Sequence, residues 1–180
     1  MSLIIHYKKS WKQDFEQINE VLLEAMRSNN VIVEHVGSTS VPNLAAKPII
    51  DIDVIYKKPA DFNSILKALE TTGYYHVGDQ GIIGREVFKR NGSIIHPVLD
   101  SISHHLYVCL EGNEELKKHL KFRDQLRTND DVRREYEILK LDIAKKANQD
   151  KKEYARLKEV MARDFIEGVL AQNEASTKAK

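Results

Sequence analysis

An α+β fold follows from three observations: amphipathic helical runs, short β-branched runs set between turn residues, and a change of texture at Glu114. The first helix spans Trp11 to Met26, where Trp11, Phe15, Ile18, Leu22 and Met26 recur every three or four positions, and Asn29 and Asn30 end it. "VIVEHV" and "PIIDIDVIY" read as strands. Between them, "GSTSVPNLAAK" reads as a turn and a short helical piece with Pro42 in its first turn. A second helix is expected from Asp61 to Thr71, with Phe62, Ile65, Leu66 and Leu69 facing the core and Gly73 closing it. "YYHV", "GREVFKR" and "HHLYVCL" read as three more strands, and "GDQGIIG" as a hairpin loop. Two long helices complete the chain. Leu116, Leu120, Leu126, Val132, Tyr136, Leu139 and Ile143 mark the first, and Tyr154, Leu157, Met161 and Phe165 the second. The charges of both signs around them read as solvated helix faces.

With 180 residues, no internal repeat and no low-complexity linker, the chain reads as one domain over residues 1–170 and a frayed tail over 171–180. Its 28 basic and 27 acidic residues nearly cancel, so no overall field draws nucleic acid or an anionic membrane. A ligand must be held by a local site. No run approaches the ~18 apolar residues of a membrane span, and "MSLIIHYKKSW" lacks the apolar stretch of a leader, so a cytoplasmic protein is expected. The single cysteine, Cys109, lies in the apolar "LYVCL" and reads as a small buried residue.

Two acids interrupt the second strand. Strand alternation puts Asp51 and Asp53 on one side and Ile50, Ile52 and Val54 on the other. At about 6–7 Å, with an effective dielectric of about 20, the two carboxylates repel by on the order of 2–3 kcal/mol. Two kinds of partner relieve this: a hard divalent cation such as Mg²⁺, or an ordinary ion pair with Lys47 or Arg85. Upstream, Gly37 allows close approach to a ligand. Ser38 offers a hydroxyl where a strand gives way to a helical turn, whose free N–H groups favour phosphate. Zinc on Asp51, Asp53 and His105 is chemically acceptable but ranks below magnesium beside such a turn. His105 and Tyr107 share a strand face and could serve as acid, base or ligand; alternatively, His35 and His105 brace the turn. Lys47, Arg85, Lys89 and Arg90 could reach phosphate oxygens if their strands border the site. The chain has no Walker A loop, dinucleotide fingerprint or nucleophile elbow.

The block "EHVGSTSVPNLAAKPIIDIDV", with "HHLYV", "FRDQLR" and the pairs Tyr136/Lys140 and Tyr154/Lys158, resembles the signature of the GrpB (UPF0157) family, which is assigned to the nucleotidyltransferase fold superfamily. The likeness covers nearly the whole chain. It implies a mixed β-sheet flanked by helices, Gly37 and Ser38 holding the phosphates of a nucleoside triphosphate, and Asp51 and Asp53 holding Mg²⁺ or Mn²⁺. Arg85 and Lys47 would reach phosphate, and His105 would serve the chemistry. Family members fused to dephospho-CoA kinase imply a link to the CoA pathway. Two departures stand out. Pro42-Asn43 replaces an expected Pro-Gly, and His105-Leu106-Tyr107-Val108 replaces His-Leu-His-Val. Active enzymes of the superfamily carry a third carboxylate on a neighbouring strand; here Glu86 and Asp100 are the candidates. The resemblance therefore implies either nucleotidyl transfer to an unknown acceptor or a non-catalytic module that binds a nucleotide or CoA-related partner.

Overall fold

Helix α1 (Ser10–Ala25) places Trp11, Ile18 and Leu22 on one buried stripe, and Met26 extends it past the helix end. The stripe packs on one face of a five-stranded sheet made of β1 (Val31–Val36), β2 (Ile50–Tyr56), β3 (Tyr74–His76), β4 (Arg85–Arg90) and β5 (His104–Leu110). Helix α2 (Phe62–Thr71) adds Ile65 and Leu69 to the same core, which holds Ile50, Ile52 and Val54 of β2 and Leu106 and Val108 of β5. The computed structural model describes residues 2–178, with side chains to residue 171; the tail expected to fray over 171–180 lies, from 172 on, outside the described side chains.

The strand order is β1-β2-β5-β4-β3. Only β2 and β5 run parallel, so the sheet is mixed, as the resemblance implies. Its second face carries Asp51 and Asp53 of β2, in register with His105 and Tyr107 of β5. Helices α4 (Glu114–Thr128), α5 (Asp130–Lys146), α6 (Lys151–Met161) and α7 (Arg163–Lys178) lie on that side. They bury Leu126, Tyr136, Ile143, Tyr154 and Ala162 with Val41, Leu44 and Ala45 in a second core. Among the described residues no helix is long and apolar enough to cross a membrane. Cys109 is buried beneath Leu116, and burial pushes its thiol up to about 12, which keeps it protonated and inert.

Several elements differ from expectation. The helical piece after β1 is a single 3-10 turn, Ser38–Ser40, that ends before Pro42. Proline disfavours helical backbone in the residue before it, and Val41 is accordingly extended (φ −103°, ψ 113°). The two expected C-terminal helices are four. Asn129 caps α5 by accepting from the amides of Asp131 and Val132, and Asp150 caps α6 by accepting from those of Lys152 and Glu153. Each cap supplies acceptors to amides that would otherwise lack partners; the one at Asn129 divides the first expected helix, the one at Asp150 opens the second, and that second helix is divided again at Ala162. A further short helix, α3 (Pro97–Ser101), starts on proline and is too short to show periodicity.

Candidate functional site

The turn and the acid pair meet. Val36 pairs with Asp51 across β1 and β2, so the chain leaves β1 beside that carboxylate. Gly37 makes the turn with φ 69°, and a Cβ there would stand 2.3 Å from Asp51 Oδ2. Any other residue would strain the backbone and strike the acid. The turn is held from behind. Thr39 Oγ1 donates to the Ile49 carbonyl (3.1 Å) and lies 3.0 Å from His35 Nε2. His35 stacks on Phe15 at 4.7 Å, and burial lowers its pKa to about 4, so the ring is neutral. It braces the turn, the role its place in the sequence offered.

Each aspartate has its own histidine. Asp51 Oδ1 is 2.9 Å from His105 Nδ1, at a lip where the two side chains are 30% and 54% exposed. Asp53 Oδ2 is 2.8 Å from His119 Nδ1, and Asp53 is fully enclosed. Burial would lower the His119 pKa, but the hydrogen bond and charge of Asp53, helped by Glu115, outweigh it and raise the pKa. The ion pair expected with Lys47 or Arg85 is therefore replaced by two histidine pairs. Lys47 Nζ instead lies 4.1 Å from the centre of the Tyr154 ring, and Arg85 Cζ lies 4.8 Å from that of Tyr107. Two buried polar atoms in this region lack hydrogen-bond partners, Asp53 Oδ1 and Arg85 Nε.

The two candidate third acids are elsewhere. Glu86 pairs with Val108, so it points to the sheet face opposite Asp53, and it binds His76 at 2.6 Å. Asp100 accepts from Arg90 (2.8 Å) and from the His96 amide. The acids near the pair are Glu34, which faces Asp53 in register from β1 and binds Arg123 at 2.6 Å, and Glu115, 3.8 Å from His119 Nε2. Sequence reasoning gave no site role to Glu34, Glu115, His119, Arg123 or Lys158, although Glu34, Arg123 and Lys158 fall within the stretches that carry the resemblance. The signal was present in part: Glu115, His119 and Arg123 follow one another at intervals of four, which puts them on one helix face.

The lip opens into a cleft of two lobes. The larger, about 610 Å³, is lined by Ser38, Lys47, Asp51, Arg85, His105 and Lys158 among others. The smaller, about 330 Å³, has Gly37, Ser38, Asp51, His119, Arg123 and Lys158 in its wall. Ser38, Asp51 and Lys158 belong to both and mark the junction. The Tyr136 phenol first, then Tyr154 and Asp51, hold the Lys158 ammonium above its ordinary range despite burial. Lys140 is the opposite case: enclosed and donating to the Ala45 carbonyl, its amine is pushed down to about 7 by burial and by Lys158.

Among the described residues no three His, Cys, Asp or Glu side chains form a ready-made metal cage. The acid pair nevertheless suits a hard cation. It offers carboxylate oxygens on one strand face, one of them buried and without a partner, and leaves other ligands to water and phosphate, as Mg²⁺ prefers.

The sequence model of the family described as "GrpB protein" matches residues 3–170. UPF0157 protein YqkA of Bacillus subtilis (strain 168) is 33% identical over 141 residues, which is 78% of this chain and 39% of YqkA; the chain thus spans well under half of that relative. Glutamate-rich protein GrpB of Alkalihalophilus pseudofirmus is 29% identical over 171 residues, 93% of each chain. The crystal structure of the conserved protein GrpB from Enterococcus faecalis matches with a TM-score of 0.76 at 30% identity, covering 94% of this chain and 98% of that one. A structure of Cid1 poly(U) polymerase bound to MgATP matches 81% of this chain and 45% of its own at 11% identity and a TM-score of 0.49, a likeness too slight to bear on activity.

Proposed function

The chain belongs to the GrpB family, and from that premise and its cleft we propose that it binds a nucleoside triphosphate together with Mg²⁺ or Mn²⁺. The observation that carries this reading is the close approach of Gly37 to Asp51, with a phosphate-favouring turn beside the first acid at the lip and Asp53 enclosed behind it. Asp51 and Asp53 would hold the cation, which supplies charge to offset their repulsion and to polarise a phosphoryl oxygen. Ser38 and the amides of its turn would take phosphate oxygens, and Arg85, Lys47 and Lys158 would balance the remaining negative charge. His105 fixes the orientation of the Asp51 carboxylate.

Transfer of the nucleotidyl group to an acceptor is the further step, and it needs a base for the acceptor's proton. Because Glu86 and Asp100 are engaged away from the pair, a second reading has support: a binding module for a nucleotide or CoA-related ligand that performs no transfer. Calorimetry with ATP and Mg²⁺ tests the common part. Binding to the wild type that is lost in Asp51→Asn is expected; no binding at millimolar ATP rejects both readings. Pyrophosphate release in the presence of candidate acceptors then separates enzyme from module.

A further inference from the structure

Three cations around the cleft rest on tyrosine rings instead of carboxylates. Lys47 lies over Tyr154, Arg85 over Tyr107 and Lys140 over Tyr136, at 4.1, 4.8 and 4.9 Å from the ring centres. A ring quadrupole orders a cation without cancelling its charge, and leaves its N–H donors free to bind an anion. Lys140 is already engaged, since its amine donates to Ala45 and is enclosed. Lys47 and Arg85 are more open: the Lys47 amine reaches only the Lys151 carbonyl, at 3.5 Å in an exposed contact. Neither pairs with a carboxylate among the described residues, and Arg85 Nε is buried without an acceptor. Lys158 joins them at the junction of the lobes, against the phenols of Tyr136 and Tyr154.

The acids lining the large lobe do not balance this set. Asp51 is held by His105, Glu115 faces Lys118 and His119, and Glu159 and Glu167 are exposed on α6 and α7. Among the described residues no Asn or Gln side chain lines either lobe, so the described wall offers none of the side chains best suited to matching a base edge with a donor and an acceptor together.

We infer that the large lobe is a polyphosphate subsite that binds the bare phosphoanhydride chain, with little contribution from the nucleoside. This rests on the proposed reading of the cleft as a site for nucleotide and metal, and specifies which part of the ligand is recognised. Lys47, Arg85 and Lys158 form the subsite, and Tyr107 and Tyr154 position two of them.

The test is calorimetry with Mg²⁺ and, in turn, inorganic triphosphate, pyrophosphate, orthophosphate, adenosine, ATP, GTP, CTP and UTP. Triphosphate and the four nucleotides are expected to agree in affinity within about threefold, orthophosphate to bind at least about a hundredfold more weakly, and adenosine not at all. Arg85→Gln and Lys158→Gln should each weaken triphosphate by about tenfold or more, the value of one charge-assisted hydrogen bond. Tyr107→Phe keeps the ring and should bind normally, whereas Tyr107→Leu should lose affinity at an unchanged melting midpoint. Binding of ATP without binding of triphosphate overturns the inference and leaves the nucleotide reading standing. A preference of about tenfold or more for one base also overturns it, as does orthophosphate binding as tightly as triphosphate. If no phosphate compound binds, both the inference and the reading fail.

Discussion

Asp51 and Asp53 lie two residues apart on one strand and one face, yet they occupy different surroundings. Asp51 stands at an open lip with a largely exposed histidine, while Asp53 is sealed under α4 with His119. Alternation along a strand decides which face a side chain takes, but what lies over that face decides its depth. A pair that looks equivalent in sequence is therefore divided: Asp51 is open to the cleft, and Asp53 is enclosed with His119.

The largest expected effect of this division is on stability. Asp53→Ala leaves His119 without its buried partner and should cost about 3 kcal/mol or more, whereas Asp51→Ala removes a partly exposed pair and should cost under about 1 kcal/mol. Urea melts of both variants give the comparison, and equal losses would break it. Next comes the contact of the turn with Asp51. Gly37→Ala should destabilise by about 1–3 kcal/mol, through left-handed backbone strain and the collision with the carboxylate. Combining it with Asp51→Ala should recover the collision part, so a strictly additive double variant would contradict the close approach.

The smallest effect is on pH dependence. A raised His119 pKa means that its pair stabilises the fold fully below the ordinary histidine value of 6.5 and is lost as pH rises through the elevated folded value. Lys140 opposes this trend. Its amine is pushed down to about 7, so between that value and 10.5 the unfolded chain binds more protons and stability rises with pH. Subtracting the profile of His119→Gln from that of the wild type isolates the histidine, and the difference should shrink above neutrality. A difference that grows with pH would mean that His119 is not held as a cation.

Helices α1 and α2 and the five strands were legible because apolar period and turn residues agree there. The C-terminal region misled because Leu116 and Leu120 before Asn129, and Val132, Tyr136 and Leu139 after it, each keep helical spacing, and the six-residue step from Leu126 to Val132, where one helix ends and another begins, was read through. At the site, Gly37, Ser38, Asp51 and His105 come together as the local pattern implied, with Lys47 and Arg85 along the cleft wall. The partner of Asp53 was hidden for a physical reason. His119 lies 66 residues away on a helix whose charges look solvated until the helix is docked on the sheet. Periodicity gives the polar face of α4, but not the surface that face meets.

The single parallel pairing in the sheet sets an order of assembly. Strands β2 and β5 are joined through residues 57–103, so this central pair forms only after a long loop has closed, and α4 follows β5 directly. Until α4 arrives, β2 carries its acids in water. Docking of α4 is the step that dehydrates Asp53 and supplies His119 in the same movement. Detachment of α4 would reverse both changes at once, so opening of this helix should precede exposure of the β2 amides in hydrogen exchange, and the sheet's innermost acid would be governed by a part of the chain synthesised long after it.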